Sequence, residues 1–158
     1  MTSGVGSGGA VVSAGDAQAA FILQVHPRAP LLFIAQRGVW PEELGKRYLE
    51  GFQELLPRLQ RPWVCVADLR GLPPQSTGVR ETRRIAFEWV VEHGMFAVAN
   101  VTDTTFSRLQ MRRVATDVKV THFESFEGVT AALAWLSGLD AELGLQLASV
   151  RAEDFQTW

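Results

Sequence analysis

Two runs of apolar residues without alternation place the strongest constraint on how this chain folds. They are WVCVADL at residues 63–69 and MFAVANV at residues 95–101. Short runs of this kind are typical of strands that are covered on both faces, as in parallel sheets. The segment between them, residues 79–93, has helical apolar spacing and is followed by Gly94, a residue that commonly ends helices. The sequence therefore predicts a βαβ unit with two adjacent parallel strands at the centre of a sheet.

Weaker signals extend this unit at both ends. FILQVH and LLFIAQR, separated by a Pro-containing turn, predict a hairpin. A helix is expected from Pro41 to about residue 60, another over residues 106–115, and a last one that begins at Ser125. VKVTHF alternates and contains Lys119, which predicts an edge strand. The order β-β-α-β-α-β-α-β-α indicates an α/β fold: one domain with a mostly parallel five-stranded sheet and flanking helices. The side chains expected in its core include Phe52, Trp63, Phe96 and Leu133.

The two ends of the chain carry less pattern than the middle. Residues 1–19 are rich in Gly, Ser and Ala, and we expect them to be a disordered leader. The domain is expected over residues 20–138. Residues 139–158 are expected to be a C-terminal extension, weakly amphipathic at first and ending in a charged tail.

Composition excludes several classes of protein. The 158 residues are long enough for one core, and 47% apolar with 20% charged residues is typical of a globular chain. Fifteen Lys and Arg against seventeen Asp and Glu give a net charge of −2, so no basic field favours nucleic acid. No apolar run approaches the roughly 18 residues of a membrane span, and no secretory signal is present. The single Cys65 cannot form an internal disulfide, and a cytoplasmic location is expected.

No catalytic or metal-binding signature is present. His26, His93 and His122 fall in three separate elements without the paired spacing of metal ligands. Cys65 lies within a strand, where it is expected to behave as a small buried hydrophobe. No glycine-rich phosphate loop follows any strand. We therefore expect no cofactor, no metal and no enzymatic activity.

Polar residues at the carboxyl ends of the central strands form a first candidate site. Ligands of open α/β sheets gather beyond these ends, which carry Asp68, Asn100 and Asp103. The alternative is that these side chains cap loops and helices.

The second predicted helix carries a candidate interaction surface. On a helical wheel one side is formed by Thr82, Ile85, Ala86, Trp89 and His93. This leaves Phe87 and Val91 roughly opposite, near Arg80 and Arg84. An exposed apolar pair flanked by Arg has the composition of a contact surface. A protein partner or a homodimer would then bind through this helix. The alternative is that another helix or the C-terminal tail covers the pair.

Several of these segments together resemble a known family. DLRGL directly after the central strand, with a Ser-Thr-Gly start of the next helix, resembles STAS domains, which include anti-sigma factor antagonists and the regulatory domains of sulfate transporters. The divergent SpoIIAA-like branch, related to the CRAL-TRIO lipid-carrier fold, is more similar still. Its traits here are GVWPEEL, RPWVCVADLRG, FEWVVEHGMFAVANV and FESFEGVTAALAWL, across residues 21–138.

The resemblance implies a phosphoacceptor. Antagonist-type STAS domains are phosphorylated within an Asp-Ser-Ser-Gly stretch, and residues 75–78 here read Gln-Ser-Thr-Gly. Ser76 and Thr77 are therefore the candidate phosphoacceptors, although the Asp of the family pattern is absent. The alternative is that either residue is simply the N-cap of the helix.

Three functions follow as hypotheses. The first is a non-enzymatic regulatory or protein-interaction module of the SpoIIAA-like type. The second is a carrier or binder of a lipid or other apolar small molecule, which an apolar pocket of several hundred Å³ would favour. An enzyme that uses Asp68 ranks last, because nucleophile, base and oxyanion donors cannot be assembled from the sequence.

Overall fold

The seven strands of the sheet lie side by side in the order in which they occur along the chain. The structure is a computed structural model and describes residues 2–6 and 9–158, with the side chains described from residue 9 onwards. The strands are β1 (Thr2–Gly6), β2 (Gly9–Gly15), β3 (Ala20–Val25), β4 (Leu31–Arg37), β5 (Trp63–Asp68), β6 (Met95–Val101) and β7 (His122–Phe126). The helices are α1 (Glu42–Leu55), α2 (Thr77–Glu92), α3 (Thr105–Val118), α4 (Val129–Ser137) and α5 (Ala141–Leu147), with short 3-10 turns at Leu56–Arg58 and Ala152–Asp154.

The sheet is mixed. Strands β1 to β4 pair antiparallel, and β4 to β7 pair parallel. The predicted α/β class is confirmed, as is the parallel pairing of the two apolar runs, since Cys65 of β5 lies opposite Val98 of β6. The predicted strand count of five was too low. The two additional strands, β1 and β2, pair antiparallel, so that three of the six strand pairings are parallel rather than most of them.

Those extra strands come from the segment that was expected to be a disordered leader, and for β2 that prediction was wrong. Val12 of β2 pairs with Leu23 of β3 and is fully buried. Gly15 ends β2 with φ +108°, where a Cβ would lie 2.2 Å from the Ala19 carbonyl oxygen. Asp16 closes the turn, because its Oδ1 accepts the backbone N–H groups of Gln18 and Ala19. Residues 1, 7 and 8 of the predicted leader lie outside the described residues.

Helices cover both faces of the sheet, which we call the α1/α2 face and the α4/α5 face. Side chains alternate along each strand, so that Leu32 and Ile34 of β4 belong to the core under α1 and α2, and Leu31 and Phe33 to the core on the other side. Helix α1 lies close on β2 and β3 because Gly51 has no side chain there. A Cβ on Gly51 would lie 2.9 Å from Leu23 Cδ1.

The predicted C-terminal extension is part of the core. Helix α5 buries Leu143 and Leu147, and the final turn carries Phe155 back onto the α4/α5 face. The Phe155 ring stacks on Phe33 with centroids 4.5 Å apart and planes 12° apart. The domain boundary predicted at residue 138 was therefore wrong.

A polar pair also fixes the tail to the sheet. His26 Nδ1 accepts the Arg28 backbone N–H at 3.1 Å, so the ring proton sits on Nε2, which donates to Asp154 Oδ2 at 2.9 Å. This hydrogen bond, followed by that from the Arg151 backbone N–H, holds the pKa of the Asp154 carboxyl below its usual value. Gln24 Nε2 donates a further hydrogen bond to the backbone carbonyl oxygen of Asp154 at 3.0 Å.

Element boundaries shift in the last third of the chain. Helix α3 continues to Val118, so the edge strand starts at His122 rather than near residue 118. Ser125 belongs to β7, and α4 begins after Gly128 instead of being capped by Ser125. Phe52, Trp63 and Leu133 are buried as predicted. Phe96 is only half-buried, contrary to the prediction. Its ring packs against His122 of β7, the last strand of the sheet.

Candidate functional site

A cavity of about 370 Å³ lies between the α1/α2 face of the sheet and helices α1, α2 and α3. Strands β4, β5 and β6 form its floor, α1 contributes one wall, and α2 and α3 border its opposite side. A volume of this order falls within the range of small-molecule sites, about 300–1,000 Å³. The cavity is therefore large enough for an organic ligand.

Most of the cavity surface is apolar. The side chains that line it are mainly aliphatic, aromatic and methionine. They include Ile34, Phe52, Ala67, Phe87, Val98 and Met111. Such a lining favours a ligand with a hydrocarbon or aromatic body.

Helix α2 is rotated relative to the wheel predicted from the sequence. Ala86 and Val90 are its buried residues in this stretch, whereas Ile85 and Trp89, which were expected inside, are half-buried. Phe87 is also half-buried and lines the cavity. The outward orientation predicted for Phe87 and Val91 was therefore wrong, because both pack against the core. Binding of a protein partner or a second copy through α2 stays a prediction.

A chain of polar side chains crosses the cavity wall. Arg83 of α2 donates from Nε to Gln36 Oε1 at 2.8 Å, and Gln36 Nε2 donates to Tyr48 Oη at 3.0 Å. Burial lowers the pKa of the Arg83 guanidinium and raises the pKa of the Tyr48 hydroxyl. Among these three hydrogen-bonded side chains only the Arg83 guanidinium is charged, because Tyr48 stays protonated and neutral.

Cys65 also lines the cavity from β5. Burial raises the pKa of its thiol, so the thiolate that would act as a nucleophile is disfavoured. This agrees with the expectation that Cys65 behaves as a small buried hydrophobe.

The rim of the cavity is charged. Arg80, Glu81, Arg84 and Arg113 line its outer part. Arg84 forms ion pairs with Glu81 and with Glu88 along α2, which neutralises it. Arg80 and Arg113 are exposed and form no ion pair within the described part of the chain. The rim therefore carries an excess of positive charge.

The two phosphoacceptor candidates lie at the start of α2. Ser76 is its N-cap, because its Oγ accepts the Val79 backbone N–H at 3.3 Å. Thr77 is exposed at the cavity rim, where its Oγ1 accepts from Arg80 Nη2 at 3.3 Å. The capping role predicted as the alternative is confirmed for Ser76. Phosphorylation at either residue stays a prediction.

The polar group predicted at the strand ends is not one site. Asp68 binds Arg70 with both oxygens, at 2.9 Å to Nε and 2.8 Å to Nη2. The hydrogen bond to Asp68, followed by the charges of Asp68 and Asp103, raises the pKa of Arg70. Asp103 also accepts the Gly71 backbone N–H at 3.2 Å. Asn100 instead lines the cavity. Because side chains alternate along a strand, Asp68 and Asn100 emerge on opposite faces of the sheet.

The described residues hold no group of three or more His, Cys, Asp or Glu side chains that would bind a metal ion. Over the same residues, none of the helices has the length and apolar character needed to cross a membrane.

Comparison with known proteins identifies the architecture. Neither a protein-family model nor a curated protein matches the sequence. Among solved structures, an uncharacterised protein of the DUF3478 family from Shewanella loihica, described as having a SpoIIAA-like fold, superposes with a TM-score of 0.61. The match covers 79% of this chain and 98% of that chain, at 16% sequence identity. This chain has a SpoIIAA-like fold.

The SpoIIAA-like fold agrees with the resemblance drawn from the sequence, and at this level of identity it establishes the fold alone. Sequence reasoning names Phe87 and Asn100 for other roles and does not predict that they line one cavity. It assigns no role to Arg83 or Tyr48, and it places Gln36 only within an apolar run. One signal was available, because a glutamine at the end of an otherwise apolar run, LLFIAQR, requires a buried polar partner.

Proposed function

We propose that the protein binds a small, largely apolar molecule in the cavity between the α1/α2 face and helices α1, α2 and α3. The observation that carries this proposal is the cavity itself: about 370 Å³, apolar in most of its lining, and bordered by a charged rim. Protein interiors are close-packed, and small-molecule sites are typically clefts of this volume with mostly apolar walls and a few oriented polar groups.

The polar groups in the wall support a binding role. Arg83, Gln36 and Tyr48 fix one another by hydrogen bonds, so they form a rigid polar patch within an otherwise apolar surface. A few oriented polar groups in an apolar pocket are how proteins set the position of a small ligand. The DUF3478-family protein from Shewanella loihica is called uncharacterised, so the proposal rests on the cavity rather than on that relative.

The test is binding of N-phenyl-1-naphthylamine, an uncharged apolar dye whose emission rises when it leaves water. We expect saturable binding to the full chain. Replacing two alanines of the cavity lining, Ala67→Leu and Ala86→Leu together, fills part of the space and should weaken dye affinity at least about tenfold, or about 1.4 kcal/mol. The matched control makes the same change at two exposed positions of α4, Ala131→Leu with Ala134→Leu, and should bind dye like the wild type.

Two results would overturn the proposal. One is the absence of saturable dye binding to the wild type, together with failure of apolar compounds to raise its melting temperature. The other is equal dye affinity in the wild type and in the cavity-filled variant when both have the same circular dichroism spectrum.

A further inference from the structure

Arg83 is a cation without a counter-ion in the wall of the cavity. Its Nε is occupied by Gln36 Oε1, while its two terminal nitrogens have no hydrogen-bond partner among the described residues. The nearby carboxylates of Glu81 and Glu88 bind Arg84 instead. Arg83 is half-buried, and a guanidinium in a mostly apolar wall is stabilised by an anion that faces it. The cavity wall therefore presents a positive charge without a counter-ion among the described residues.

Asn100 adds a second unfilled group on the same cavity surface. The residue is 0% exposed, and within the described part of the chain neither its Oδ1 nor its Nδ2 forms a hydrogen bond. Buried side-chain amides nearly always have partners, so an amide with neither atom bound points to a ligand group. The terminal nitrogens of Arg83 carry four N–H donors, and Nδ2 of Asn100 carries two more, whereas an ionised carboxylate only accepts.

We infer that the ligand is an amphiphile with a single carboxylate, held by the terminal nitrogens of Arg83 and by the amide of Asn100, with its hydrocarbon part on the apolar lining. This inference rests on the proposed function. A guanidinium matches a carboxylate with two parallel hydrogen bonds, which makes this pairing both strong and directional. Gln36 fixes the plane of the guanidinium through Nε and leaves the other nitrogens for the ligand.

The charge balance favours a monoanion. Arg83 is the only cation among the hydrogen-bonded side chains Arg83, Gln36 and Tyr48 of the cavity wall. Gln36, Tyr48 and the nearby Asn100 are neutral. A dianion such as a phosphate monoester would keep one charge uncompensated away from water. The exposed Arg80 and Arg113 lie at the rim, where they would attract an anion without holding it in the interior.

Calorimetric titration at pH 7.5 with three ligands of equal chain length tests the inference. These are decanoate, decanol and decyl phosphate, each below its micelle concentration. We expect the wild type to bind decanoate at least about tenfold more tightly than decanol, the range of a hydrogen bond to a charged group. Decanol binding as tightly as decanoate, or decyl phosphate binding more tightly, would overturn the carboxylate assignment.

Variants locate the recognition. Arg83→Met introduces an apolar side chain of similar length and removes a half-buried charge, so we expect it to fold. It should bind decanoate as weakly as decanol, with decanol binding unchanged. Asn100→Leu should weaken decanoate binding by about threefold to tenfold. Arg112→Met, at an exposed arginine of α3, is the control and should match the wild type. Retention of the decanoate preference by a folded Arg83→Met variant would show that the inference is wrong.

The two proposals fail in different ways. Loss of the head-group preference with intact binding of decanol and of the naphthylamine dye removes only the inference about the carboxylate. Failure of the wild type to bind any of these ligands removes the proposed function as well.

Discussion

The same strands present two faces that are packed very differently. On the α4/α5 face, Phe33 of β4 meets Phe155 in a stacked pair, and α4, α5 and the tail bury their apolar residues directly on the sheet. On the α1/α2 face, α1 packs closely through Gly51, but the space under α2 and α3 holds a cavity of about 370 Å³.

The difference shows which face carries stability and which is suited to binding. Well-packed aromatic and aliphatic contacts supply dispersion and burial, and a cavity forfeits both along its walls. The α1/α2 face also carries two polar side chains that are not fully paired, since among the described residues the terminal nitrogens of Arg83 and both amide atoms of Asn100 form no hydrogen bond. Substitutions should therefore have opposite consequences on the two faces.

The largest expected effect is on the packed face. Phe33→Ala removes a fully buried ring and its stacking with Phe155, and should lower the free energy of unfolding by about 3–5 kcal/mol in urea titration. Phe87→Ala is the matched change on the cavity wall and should cost about 1 kcal/mol or less, since its ring is half-buried and already faces open space. Equal losses for the two variants would remove the contrast between the faces.

A smaller effect is expected when volume is added. Ala99→Leu on the α4/α5 face forces three extra carbons into a filled core and should cost about 1–3 kcal/mol. Ala67→Leu adds the same atoms to the cavity lining and should leave unfolding within about 1 kcal/mol of the wild type. If Ala67→Leu lowered the free energy of unfolding as much as Ala99→Leu in urea titration, the space beside Ala67 would be too small for a leucine side chain.

The smallest effect concerns the polar anchor of the tail. Asp154→Asn weakens the hydrogen bond from His26 and should cost about 1 kcal/mol at pH 7, a value reduced by the partial exposure of the carboxylate. The pKa of Asp154 is lowered in the folded protein, so its stabilising effect is complete above the unfolded Asp pKa of about 3.9 and is lost as pH falls through the folded pKa.

The pH dependence provides the measurement. Wild type and Asp154→Asn should differ in urea midpoint at pH 7 and converge once the pH falls below the lowered pKa of Asp154 in the folded protein. Glu153→Gln, at the exposed neighbour, serves as the control and should match the wild type throughout. A difference that persists unchanged at low pH would show that the carboxylate charge is not what fixes the tail.

The α4/α5 face could be predicted only in part. Its strands and α4 were expected from apolar periodicity, and Leu133 is buried as predicted. The docking of Phe155 was not, because a single aromatic near a charged end has no local pattern that marks its partner. The ring of Phe33, more than 120 residues earlier in the chain, decides its position.

The candidate site on the α1/α2 face was missed for a related reason. A helical wheel predicts that the side with the largest apolar residues faces the core, which for α2 is the side of Ile85 and Trp89. The folded helix instead turns Ala86 and Val90 towards the core and brings Arg83 to Gln36. Ala86 and Val90 line the inner side of α2 together with Phe87, so the cavity lies between this side of the helix and the sheet.

The sequence by itself determined the α/β class, the parallel pair β5 and β6, and helix α1, because each depends on periodicity and end signals within about 20 residues. Only the tertiary structure decided the rotation of α2, the cavity, and the two terminal segments. Strand β2 shows why. Only Val11 and Val12 favour a strand among its seven residues, and the Gly, Ser and Ala residues around them give no pattern. It is a strand because β3 offers a partner edge and α1 covers Val12. Where local preference is weak, non-local pairing and burial set the conformation.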